Sequence, residues 1–187
     1  MTYAELVAAI KGYAENDFPA TAGSFSSTDQ LNTFIEQAEQ RIFNSIQFPV
    51  IRKNVTGTTT SGNKYLATPV DFLSVFSIAV IAANGSYEFL LNKDVNFIRE
   101  AYPTPTDLGT PAYYALFNEN TFILGPTPDS NYSTELHYFY YPESIVTAGT
   151  SWLGDNFDSV LLYSSLLEAA AFMKSDVDTI KNYTDRY

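Results

Sequence analysis

The chain has 187 residues, a formal net charge of −11 and no cysteine, which rules out disulfide staples, thiolate metal sites and thiol catalysis. Its length suits one domain with room for an insertion. Its 21 acids against 10 bases argue against a grip on nucleic-acid phosphates, which takes clustered Lys and Arg.

The first element is a helix. Thr2 and Glu5 have the spacing of a capping box, in which each side chain serves the other's backbone amide. Tyr3, Leu6, Val7, Ile10, Tyr13 and Ala14 then recur at helical spacing. Pro19 ends this stretch by pushing Phe18 out of the helical region. A polar linker at 21–28 leads to a second helix, with Ser27 and Gln30 as its capping pair. Leu31, Phe34, Ile35, Ala38, Ile42 and Ile46 make its apolar stripe, and Pro49 stops it.

The middle, 51–148, reads as strands and turns. Ser61-Gly-Asn63 looks like a hairpin turn between the stretches 52–60 and 64–73. Asn84-Gly85 is a strong hairpin signal, because both central residues must accept positive φ. A short helix is expected over 94–102, then a second hairpin through Asn118-Glu-Asn120. Residues 118–144 carry four tyrosines, two phenylalanines and three prolines, and look like a surface hairpin. In the last strand Leu136, Tyr138 and Tyr140 share one face, and Glu135, His137, Phe139 and Tyr141 the other. The first face is read as core, the second as a partly covered surface offering Phe139 and Tyr141 to a neighbour.

The third zone, 149–187, is read as one long helix from about residue 155 to 183. It is apolar nearly all round, which requires burial on more than one side. Leu161, Leu162 and Phe172 are therefore expected to meet a neighbouring subunit. The fold class that follows is α+β: a helical bundle from both ends of the chain, with an inserted antiparallel β-sandwich-like subdomain.

No catalytic or cofactor constellation stands out. His137 is the lone histidine, mid-strand, with no nucleophile-elbow glycines around a serine. Asp129 and Asn131 hint at a calcium loop but lack its turn glycine, and Asp176 and Asp178 point to different sides of a helix. Glu119, Glu135, Glu143 and Asp155 are the carboxylates a glycan-acting enzyme could draw on, and the tyrosines could form a sugar platform. A carbohydrate-binding or glycan-acting β-rich domain is thus the alternative reading. No apolar run reaches the ~18 residues of a membrane span, and the first residues lack the basic start and apolar core of a signal peptide. No cofactor, metal or membrane partner is expected.

The order of short motifs carries a resemblance. Pro69-Val-Asp-Phe-Leu73 is followed by Gly109-Thr-Pro-Ala-Tyr-Tyr114, then Ile123-Leu-Gly-Pro-Thr-Pro128 before the aromatic strand. Trp152-Leu153 and the run Leu161 to Ala170 close the series. This order resembles the head-to-tail adaptor (connector) proteins of tailed bacteriophages, across nearly the whole chain. The resemblance implies a structural virion protein without enzymatic activity, at the head–tail interface. It implies a ring of twelve copies beneath the portal protein, a tail or nozzle partner below, and a lumen through which DNA passes without specific binding. It also implies that the carboxyl-terminal segment docks on the portal, with Tyr183, Arg186 and Tyr187 as its anchors.

Overall fold

A computed structural model describes residues 1–20 and 25–187, so the first half of the expected polar linker, residues 21–24, lies outside the described residues. In chain order the elements are α1 (Tyr3–Ala14), α2 (Ser27–Ser45), β1 (Arg52–Thr58), β2 (Tyr65–Ala67), β3 (Ser74–Ile81), β4 (Tyr87–Phe89) and β5 (Leu91–Asn92). They continue with α3 (Val95–Ala101), β6 (Leu108–Gly109), β7 (Tyr113–Asn118), β8 (Thr121–Gly125), β9 (Thr127–Pro128) and β10 (Ser133–Phe139). Last come α4 (Ile145–Ala148), α5 (Trp152–Asn156), α6 (Asp158–Met173) and α7 (Val177–Thr184). The architecture is α+β. Met1–Val50 and Tyr141–Tyr187 form one unit, all helical, and Ile51–Tyr140 forms the other. Residues 141–148, expected in the β insertion, stand with the helices.

In the helical unit, α6 is the central element. It lies against α1, α2, α5 and α7. Leu6 and Ile10 of α1, Leu31, Ile35 and Ile42 of α2, and Leu161, Leu166 and Ala170 of α6 are all buried. An Arg41–Glu168 ion pair ties α2 to α6. This explains the apolar circumference of α6 from within the chain: four helices cover it, and no neighbour is needed for most of it.

Two local expectations are corrected. The cap of α2 is Ser26 with Asp29, not Ser27 with Gln30; Gln30 is buried and its side-chain amide donates to the carbonyls of Pro19 and Phe25. The long final helix is broken: Lys174 takes a left-handed conformation, and Asp176 caps a separate α7. At the end of α1 the turn is left-handed at Glu15, and Phe18, outside the helix as expected, has φ 52°. Phe18 is nonetheless 1% exposed, its ring edge-on to Phe34 at 5.5 Å. Burial of that ring is what offsets a backbone conformation costing about 1–3 kcal/mol.

The β unit holds two four-stranded sheets, ordered β1-β10-β3-β4 and β2-β8-β7-β5, and a small β6–β9 pair. Their inner faces meet in one core of Ile78, Val80, Leu90, Tyr114, Phe122, Leu124, Leu136 and Tyr138. The Asn84-Gly85 hairpin joins β3 to β4, with Gly85 at φ 83°, and Asn118–Asn120 joins β7 to β8. Ser61-Gly-Asn63 is not a hairpin. Its flanking strands part company: β1 pairs with β10, and β2 pairs with β8 in the other sheet. The tyrosine-rich stretch is likewise no hairpin, since it leaves one sheet as β8 and returns to the other as β10. The helix α3 seals the outer face of the second sheet through Ile98, packed on Ala115 and Ile123. It approaches so closely that a Cβ on Gly125 would meet the Tyr102 ring at 2.8 Å.

Candidate docking surfaces

Pro69-Val-Asp-Phe-Leu73 does its work inside the β unit. Phe72 packs edge-on against Phe122 at 5.4 Å, and the Leu73 amide donates to the Phe139 carbonyl. Asp71 accepts from the Tyr138 hydroxyl at 2.8 Å and from the Lys53 ammonium at 2.7 Å. The Lys53 hydrogen bond, followed by the Tyr138 one, holds the Asp71 carboxyl below its ordinary range. Burial, then the Asp71 carboxylate, raises the Tyr138 phenol. The segment therefore latches the β2–β3 crossover onto β1 and β10.

The outer face of the first sheet is aromatic and open. Phe76, Tyr87 and Phe89 are exposed. His137 sits against Phe76 with ring centroids 4.9 Å apart, and Phe139 lies 5.9 Å from the same ring. The Arg52 guanidinium covers Phe76 at 4.9 Å. His137 is thus a member of an aromatic surface, with Ser77 opposite it on β3. The opposite face holds Tyr138, 3% exposed, and Leu136 in the core. The alternation expected along this strand is present.

The other sequence candidates resolve one by one. Leu161 is 0% and Leu162 7% exposed within the helical unit, so neither has surface to give a neighbour. Phe172 is 51% exposed, stacked obliquely on Phe34 at one end of a groove of about 360 Å³ between α2 and α6. Tyr141 is exposed and donates to Asn44 Oδ1 at 2.6 Å. Asp129 accepts from the Tyr132 hydroxyl and Asn131 from the Ser61 amide, so both fasten turns.

The carboxyl-terminal segment is folded back on its own unit. Tyr163 of α6 lies between Tyr13 of α1 and Tyr183 of α7, each ring 6.3 Å away. Arg186 donates to the Tyr163 hydroxyl at 3.1 Å and covers its ring at 5.7 Å. Tyr183 donates to the Tyr13 carbonyl at 3.3 Å, and Tyr187 is left exposed at the end. This cluster was not legible in sequence, because Tyr13, Tyr163 and Tyr183 lie on three separate elements.

Glu36 and Glu39 line a small cleft beside Tyr141 and Pro142, where burial raises the Glu39 carboxyl, and the open surfaces are aromatic ones. A family model described as SU10 adaptor protein matches residues 1–187. The chain belongs to the SU10 adaptor protein family. The comparison with curated proteins gives no match. As a phage adaptor protein it fits a place in the virion between head and tail, and portal and tail components are its implied partners. Among the described residues no helix is long and apolar enough to cross a membrane.

Proposed function

We propose that this adaptor assembles as a ring of twelve copies beneath the portal protein, joins the capsid vertex to a tail or nozzle protein, and continues the DNA channel. The match over the whole chain to the adaptor family carries this reading. The net charge of −11 supports the second half of it. A ring of such chains repels DNA phosphates at short range and so lets the genome slide without adhering.

Phe172, Phe139 and Tyr141 are the subunit-contact residues that retain exposed surface; Leu161 and Leu162 drop out. The exposed Tyr187 at the end of α7, beside Tyr183 and Arg186, is the portal-facing end. Tyrosine suits such a contact, since it covers large area with few rotamers and keeps a polar tip.

The test is negative-stain imaging of the adaptor mixed with its portal protein, beside the native mass of the adaptor alone. A twelvefold ring stacked on the portal is the expected result. No ring and no portal association overturns the reading, and glycan screening then becomes the next experiment.

A further inference from the structure

The first sheet of the β unit ends in two open edges, β1 on one side and β4 on the other. The ladder fixes which backbone groups each edge offers. The Tyr140 amide bonds the Ile51 carbonyl and the Thr59 amide bonds the Tyr132 carbonyl. With the register Lys53↔Tyr138, Val55↔Leu136 and Gly57↔Thr134, the odd residues of β1 therefore bond to β10. The N–H and C=O groups of Arg52, Asn54, Thr56 and Thr58 point away from the sheet. On the far edge the Leu90 amide bonds Ile78, and the Ala82 amide bonds Ser86, so Tyr87 and Phe89 direct theirs outward.

Edge strands are ordinarily blunted by charge, proline or a bulge. From Asn54 to Thr58, β1 has no charge and no proline, and all five residues are exposed. We propose that β1 of one copy pairs with β4 of the next, so that the first sheet runs on from subunit to subunit. This rests on the ring reading and names its contact.

Two observations select a second copy as the occupant. The first is direction. β1, β10, β3 and β4 alternate up, down, up, down. A head-to-tail neighbour in the same orientation then presents its β1 antiparallel to β4 and continues the alternation. Such a contact uses two different patches, as a closed ring requires. The second is chemistry. The register that pairs the outward groups as Asn54↔Tyr87 and Arg52↔Phe89 sets Lys53 opposite Glu88. Opposite charges then face each other, with a guanidinium beside an aromatic ring. Glu88 and Phe89 are both exposed, and Lys53 and Arg52, which meet Asp71 and Phe76 within their own copy, would each reach a second partner there.

The chain lacks cysteine, so a double variant reports the contact cleanly. Asn54→Cys with Tyr87→Cys places two thiols on a hydrogen-bonded antiparallel pair, whose Cα separation of about 5.5 Å a disulfide spans. Oxidation of portal-templated rings is expected to give a ladder of covalent oligomers. Asn54→Pro removes only an outward-facing N–H, so the monomer is expected to keep its circular dichroism and melting curve while ring assembly is lost. Where that variant fails to fold, the cross-link decides. Rings without a ladder overturn the edge pairing and leave the ring reading standing. A covalent dimer through Asn54→Cys alone signals a symmetric β1–β1 contact and overturns the head-to-tail pairing. Absence of any ring from the unsubstituted chain overturns both.

Discussion

Asp71 shows how one short motif can hold a fold without any chemistry of its own. Its carboxylate gathers a phenol from β10 and an ammonium from β1, and so ties a crossover to two strands. A depressed carboxyl contributes stability that is present above its unfolded pKa and lost as pH falls through the lowered folded value. Tyr138→Phe removes one of the two donors. It is expected to cost about 1.5 kcal/mol at neutral pH, the value of a hydrogen bond to a charged group. It should also move the acid unfolding step toward higher pH, as read from thermal melts across the acid range. An acid limb unchanged from the unsubstituted chain would sink the account. On the same strand a charge at Tyr138 is expected to abolish folding, whereas one at Phe139 leaves the monomer folded and affects assembly.

At the scale of elements, the sequence signals worked where they were local. Thr2 and Glu5 do form a capping box, and Asn84-Gly85 does turn a hairpin. They failed where the answer depended on distant residues. Ser61-Gly-Asn63 has the composition of a hairpin turn, yet the partners of β1 and β2 lie 54 to 87 residues further on. The apolar circumference of α6 was visible, but not that four helices of the same chain cover it. Of the docking candidates, the sequence could show which residues were aromatic but not that Arg186 and Tyr183 are already engaged with Tyr163 and Tyr13. The break after α6 is the clearest local miss. Nothing in Met173-Lys-Ser-Asp176 names a left-handed residue, and the Asp176 cap reads equally well as a helical aspartate. Lys174 has φ 54°, is exposed and lacks an ion pair among the described residues. Lys174→Gly is expected to stabilise the helical unit by about 1 kcal/mol, because glycine adopts that conformation without a Cβ clash. A lowered melting temperature would mean that the lysine has a contact worth more than the strain.

At the scale of the molecule, the chain is two cores strung on one thread. The β unit has its own sandwich interior, its own helix sealing one face, and the Asp71 latch closing it. Residues 51–140 are therefore expected to fold alone, with a single cooperative thermal transition followed by circular dichroism. A broad, non-cooperative melt would show that the sandwich depends on the helices.

The Tyr140 amide donates to the Ile51 carbonyl at 2.9 Å, so the first and last residues of the β unit are neighbours, just outside the paired strands β1 and β10. A module that enters and leaves at one doorway can be lifted out or replaced without stretching its host. Such a cassette can change its outer surface while the helices that carry it stay as they are.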